Sequence, residues 1–153
     1  MIFEALTIAS PGIAKSILMP VVINQSKTLC QKFNLPHEAI DVYALLDTGA
    51  SMTCISQSLA KKLNLRAISQ GRMNTAGGII HEANLYYIDL LMRNNVSFVN
   101  IRTMEFTGND KFDVLIGMDI LTLGDLAITN AGQRTVTSFR VPPDTLHIDY
   151  TAK

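Results

Sequence analysis

Ala44-Leu45-Leu46-Asp47-Thr48-Gly49-Ala50-Ser51 is the stretch on which the fold of this chain turns. Residues 42–46 form an apolar run of a length suited to a buried strand, and the run leads directly into aspartate, threonine and glycine. Alone, Asp-Thr-Gly is a common turn composition. A second stretch changes its weight: Phe112-Asp113-Val114-Leu115-Ile116-Gly117-Met118-Asp119-Ile120-Leu121 reads as another buried strand, a glycine turn and the start of a helix.

Outward from these two stretches the chain reads as short strands separated by turns. Residues 3–9 form a strand closed by Ser10-Pro11-Gly12, and residues 17–23 form one that Pro20 marks as an edge or an irregular start. Residues 25–41 are polar, contain Pro36 and read as a long loop with at most one helical turn. Between 56 and 65 the period changes: Leu59 and Leu63 lie four apart, Lys61 and Lys62 fall on the polar side, and Ser56 suits an N-cap. Residues 69–74 and 79–85 flank Thr75-Ala76-Gly77-Gly78, a hairpin signal because glycine tolerates positive φ. Strands at 86–92 and 98–106 follow around Arg93-Asn94-Asn95. A helix over 118–126 and strands at 126–129 and 135–141 complete the pattern, and Pro142-Pro143 stops the last strand. The expected fold is mainly β: a small closed barrel with one or two short helices. One domain is expected over 1–153, with its core at about 17–141 and a tail at 142–153.

Composition excludes several classes. The chain has 153 residues, 48% apolar and 17% charged, an ordinary globular balance. Its formal net charge is zero, so no basic surplus draws it to nucleic acid or anionic membrane. No apolar run approaches the roughly 20 residues of a membrane helix. The start Met1-Ile2-Phe3-Glu4-Ala5 lacks the basic opening of a secretory signal. Cys30 and Cys54 are too few for a disulfide framework and are expected as free thiols in a reducing, cytoplasmic setting. His37, His81 and His147 lie far apart, so neither metal nor cofactor is expected.

The order of features is specific: an apolar strand, Asp-Thr-Gly-Ala, a glycine-bearing hairpin, then Ile116-Gly117-Met118-Asp119-Ile120-Leu121. It resembles the retropepsins, the aspartic proteases of retroviruses and retrotransposons with cellular and bacterial relatives, over roughly residues 42–130. The resemblance implies a closed β-barrel subunit with a flap hairpin, working as a homodimer on peptide or protein substrates. It implies that Asp47, Thr48 and Gly49 are catalytic: Asp47 as acid/base, Thr48 interlocking with its copy in the partner, Gly49 permitting close approach of loop and substrate. Ala50, Thr75, Ala76, Gly77, Gly78 and Ile79 would contact substrate, with Leu45, Ile79 and Ile80 lining apolar pockets. Ile116-Gly117 would pack behind the loop that carries Asp47, with Leu45, Leu46 and Leu115 holding it rigid.

Hydrolysis by this chemistry needs two carboxylates sharing one proton; the aspartic proteases are the standard instance of that coupling. The chain has one Asp-Thr-Gly, and Asp144-Thr145-Leu146 lacks the glycine, so a symmetric pair of chains must supply the second Asp47. Departures from the viral pattern are Ser51 in place of an aspartate and Met118 in place of an arginine. Losing both members of a charge pair leaves neither unpaired. The dimer must then be held elsewhere, with residues 135–141 or the tail as the expected segments. Ala50, which carries no hydroxyl, points to a less acidic pH optimum than pepsin's. Met52, Cys54 and Met118 are expected in the core, and His81 at the surface. The rival reading is a catalytically silent retropepsin-like module that dimerises or binds peptides.

Overall fold

The computed structural model describes residues 2–74 and 77–152. In chain order the elements are β1 (Glu4–Ala9), β2 (Leu18–Gln25), α1 (Lys27–Phe33), β3 (Ala39–Leu46), β4 (Cys54–Ser56), α2 (Gln57–Lys62), β5 (Ser69–Asn74), β6 (Ile80–Leu91), β7 (Ser97–Phe106), β8 (Val114–Ile116), α3 (Met118–Leu121), β9 (Asp125–Thr129) and β10 (Val136–Val141). Single 3-10 turns occupy Arg93–Asn95 and Ala131–Gln133.

Six strands run in the order β2-β3-β8-β4-β7-β6, and β2 pairs with β6 to close the ring. Closure leaves no long exposed edge around the barrel. Strand β2 shows why the sequence supports it: Met19, Val21 and Ile23 alternate inward and are buried. Pro20 is exposed and lies where β2 has only β3 beside it, since pairing with β6 begins at Val22. A residue without an N–H is tolerated at such a half-open edge. Strand β5 pairs only with β6, so the two project from the barrel as a hairpin from Ser69↔Leu85 to Asn74↔Ile80. A second sheet, β1-β10-β9, packs beside the barrel and contributes Leu6 and Phe139 to the common core.

Four expectations change. Residues 25–41 are not one loop: α1 forms there, capped by Ser26, whose Oγ accepts from the Leu29 N–H, and ended by Asn34 at φ 50°. Strand β3 then begins at Ala39, before the apolar run. The strands expected at 79–85 and 86–92 are one twelve-residue strand, β6. The helix expected over 118–126 ends at Leu121, and from Asp125 the chain is instead a strand, β9, paired with β10. With α1 included, the described residues contain three α-helices rather than one or two.

Candidate active site

Strands β3 and β8 run parallel, in register Ala44↔Val114, Leu45↔Leu115 and Leu46↔Ile116. The two decisive stretches therefore end side by side. The Asp47 N–H donates to the Ile116 carbonyl at 3.0 Å, continuing the ladder one residue beyond the strand. The chain then turns. The Ala50 N–H donates to the Asp47 carbonyl at 3.2 Å, and the Gly49 N–H donates to Asp47 Oδ1 at 2.8 Å. The second carboxylate oxygen, Oδ2, makes no hydrogen bond to a described residue.

Gly49 has a reason in this geometry beyond close approach of substrate: a Cβ there would sit 3.1 Å from Asp47 Oδ1. Gly117 behaves as expected. A Cβ on it would lie 2.7 Å from the Met52 carbonyl carbon and oxygen and 3.0 Å from the Ala50 oxygen. Those neighbours are backbone atoms with no room to yield.

A polar clamp joins the two segments. The Met118 N–H donates to the Ala50 carbonyl at 2.8 Å. The Gly117 N–H donates to Thr53 Oγ1 at 3.2 Å, and the Thr53 hydroxyl donates to Asp119 Oδ1 at 2.8 Å. Thr53 is fully buried. The clamp gives Asp119 a role that its place in the motif does not announce. Behind it, Asp113 accepts from the hydroxyls of Ser56 and Ser58, and its N–H donates to the Tyr43 carbonyl at 3.0 Å.

Asp47 opens onto a cleft of about 630 Å³ lined also by Gly49, Ala50, Ser51, Met52 and Cys54. Arg72, Met73 and Asn74 from β5, Met104 and Phe106 from β7, and Leu115 from β8 complete it. Among the expected site residues, Asp47, Gly49 and Ala50 share this cleft. Thr48 is exposed beside it, and its hydroxyl makes no hydrogen bond to another described residue. Gly77, Gly78 (φ +73°) and Ile79 are exposed at the far end of the hairpin and do not line the cleft of the single chain. Thr75 and Ala76, and the side chain of His81, lie outside the described residues.

In the single chain the apolar residues that line the cleft include Leu115, Met104 and Phe106, while Leu45, Ile79 and Ile80 lie outside it. Met52 and Cys54 are cleft residues rather than core, and Met118 is 37% exposed. Burial, with smaller contributions from Asp119 and Asp47, pushes the Cys54 thiol up to about 11, so it is neutral near pH 7. Cys30 and Cys54 are both free thiols. Among the described residues no three carboxylate, thiol or imidazole side chains gather closely enough to hold a metal ion. No described helix is long and apolar enough to cross a membrane.

Among solved structures, the fold is similar to a retropepsin-like aspartic protease from Rickettsia conorii, with a TM-score of 0.55 and 14% sequence identity, over 92% of this chain and 97% of that one. A second similar structure is the retroviral protease-like domain of Ddi1 from Leishmania major, with a TM-score of 0.44 and 16% identity, over 75% of this chain and 82% of that one. No curated protein matches the chain. Residues 38–122, more than half of the chain, match the model of the family described as "gag-polyprotein putative aspartyl protease", and to that retropepsin-like family the chain belongs.

Proposed function

We propose that the protein is an aspartic endopeptidase whose active site forms when two copies bring their Asp47 side chains together. The observation that carries this is the state of Asp47 in the single chain. Its backbone is tied to β8 and one oxygen is fixed by Gly49, while the other oxygen is free at the mouth of a half-apolar cleft. Such a group is rigid and available, as a general acid or base must be.

The cleft contains one carboxylate, and the reaction needs two. With a partner's Asp47 opposite, the pair shares one proton. The ionised member removes a proton from water as the water oxygen attacks the substrate carbonyl carbon. The protonated member donates to the carbonyl oxygen. Collapse of the tetrahedral diol returns a proton to the departing nitrogen and cleaves the C–N bond. The hairpin of β5 and β6 would close over a peptide lying in extended form. The exposed Thr48 hydroxyl is available to its copy across the axis. Leu146, Ile148 and Tyr150 alternate along the tail at 80%, 69% and 88% exposure, a strand pattern without a strand, which supports contact with a partner through this region. The free thiols support a reducing, cytoplasmic setting.

The test compares wild type with Asp47→Asn. Wild type should cleave peptides with a specific activity that falls on dilution, and the variant should remain dimeric in sedimentation yet cleave nothing. If both proteins bind peptide and neither cleaves it, the chain is a peptide-binding module. Undiminished activity of a demonstrated monomer would refute the shared dyad.

A further inference from the structure

The twelve residues of β6 serve two structures. Their register with β7 begins at Leu85↔Met104, while their pairing with β5 runs from Ser69↔Leu85 out to Asn74↔Ile80. Residues 85–91 are barrel wall, and residues 80–84 belong to the hairpin. A two-stranded ribbon is only marginally stable by itself, so its tilt depends on what joins it to the barrel. On the cleft side the join is packing: a Cβ on Gly71 would come within 3.0 Å of Met104 Cε and 3.3 Å of Leu85 Cδ1. The opposite side is loosely filled. Asn84, Tyr86 and Glu105 border a cavity of about 330 Å³ that reaches Gln57 and Lys61 of α2. A second cavity, of about 420 Å³, is lined by Gln57, Ala83 and Glu105 among others.

A chain of side chains crosses that loosely filled side at the junction. Gln70 of β5 donates from Nε2 to Asn84 Oδ1 at 3.4 Å. Asn84 donates from Nδ2 to Glu105 Oε1 at 3.1 Å, and the Tyr86 hydroxyl donates to Glu105 Oε2 at 2.8 Å. A carboxylate only accepts, so Asn84 must turn its nitrogen to Glu105 and its oxygen to Gln70. Tyr86 is buried; burial, then the bond to Glu105 and its charge, push the hydroxyl up to about 12, so it remains a donor at neutral pH. Glu105 thus grips the last hairpin residue, Asn84, with one oxygen and the barrel residue Tyr86 with the other. Resting on the endopeptidase reading, we propose that Glu105 is a positioning residue that sets the tilt of the β5–β6 hairpin over the Asp47 cleft, and with it how tightly substrate is held. With the link broken, the hairpin can swing into the unfilled space toward α2 and away from Asp47.

The experiment compares wild type, Asn84→Asp, Glu105→Gln and the double variant by amide hydrogen exchange and by peptide cleavage. Asn84→Asp sets two carboxylates against each other. Glu105→Gln turns an amide nitrogen toward one of the two donors. In the double variant the new amide nitrogen at 105 donates to the new carboxylate at 84 while its oxygen accepts from Tyr86, so both links return. In each single variant the hydrogen-bonded amides of 69–74 and 80–84 should exchange about tenfold faster, the lower end for a hydrogen bond to a charged group, with those of β2 and β3 unchanged. KM should rise by about the same factor, with kcat nearly constant. The double variant should return both readings close to wild type. Unchanged hairpin exchange in both single variants overturns the proposal. So does acceleration spread evenly through the barrel, a double variant as fast as the singles, or a fall in kcat with KM unaltered. If wild type cleaves no peptide while exchange follows the expected pattern, the endopeptidase reading fails and the hold of Glu105 on the hairpin stands.

Discussion

Replacing Thr53 by valine removes one hydroxyl and keeps the shape of the side chain. In the native loop that hydroxyl accepts from the Gly117 N–H and donates to Asp119 Oδ1. Thr53 and Gly117 are both buried, so water cannot take over either bond. The two losses are unequal. Asp119 keeps the Ile120 N–H at 3.1 Å, whereas the Gly117 N–H has no second acceptor within the clamp. An unsatisfied buried donor costs about 1–3 kcal/mol, and the added methyl group recovers little of it. Each kcal/mol lowers the melting temperature of a domain of this size by about 2–4 °C. A loss of about 2 kcal/mol thus predicts a fall of about 4–8 °C, measured by far-UV circular dichroism at one fixed protein concentration.

Activity should fall as well, because the clamp holds the loop that carries Asp47. A misplacement of about 1 Å at a reacting group can cost about 100-fold. The Met118 N–H still reaches the Ala50 carbonyl, so a smaller drop of about tenfold in kcat/KM is expected. Thr53→Ser, which restores the hydroxyl, should recover most of the activity while keeping a small packing loss. A cycle with Asp119→Ala should be non-additive, because both changes break the same chain of bonds. If Thr53→Val melts with wild type and cleaves at the same rate, the clamp does not position Asp47.

Gly117→Ala should cost about 1–3 kcal/mol and lower kcat, since its Cβ strikes the backbone of Met52 and Ala50. Gly124→Ala, whose Cβ would overlap the Arg140 carbonyl in the second sheet, should destabilise the fold with no loss of kcat at saturating protein. Equal kcat losses in both variants would show that the effect at Gly117 is global. Cys54, held at about 11 chiefly by burial, should react with iodoacetamide at pH 8 about 100-fold more slowly in the folded than in the unfolded chain, as a mass-spectrometric time course would show. Because folding raises this thiol above its ordinary value of 9.0, the stabilisation from its protonated form is complete below about pH 9 and disappears as pH rises through about 11. Labelling at the unfolded rate would contradict the burial.

The parts of the fold legible in the sequence are those in which local pattern and tertiary role coincide. β8 is flanked on both sides and is a continuous apolar run for that reason. The α2 helix carries Leu59 inward and its lysines outward, with Ser56 as its N-cap. The α1 helix was illegible because it buries only Cys30 among seven residues, so its support comes from the Ser26 cap and contacts distant in sequence. The length of the helix after Gly117 was misread because Leu123 and Leu126 continue an apolar pattern. What competes with that helix is β10, distant in sequence, which pairs with Asp125–Thr129 as strand β9. The walls of the cleft were hidden for the same reason. Met52, Met104 and Leu115 become neighbours only through the pairing of β4 with β7 and β8.

The two motifs are better understood as one object divided by the chain. Asp47 is held by Ile116, Ala50 holds Met118, and Thr53 joins Gly117 to Asp119. Each contact pairs a residue of the first stretch, or Thr53 just beyond it, with one of the second, and the small size of Gly117 lets the two backbones come close enough for all of them. Neither stretch could position the carboxylate alone. An Asp-Thr-Gly turn without its partner strand is merely a turn, and Ile-Gly-x-Asp without the loop is the end of a strand. Their joint presence therefore carries information that neither has singly. The same reasoning extends to the assembly. The clamp positions Asp47 within one chain, while the proposed chemistry calls for a second carboxylate. A rigid half-site of this kind is suited to meeting an identical half without rearrangement, and dimer formation should accordingly leave the bonds from Ile116 to Asp47 and from Thr53 to Asp119 unchanged.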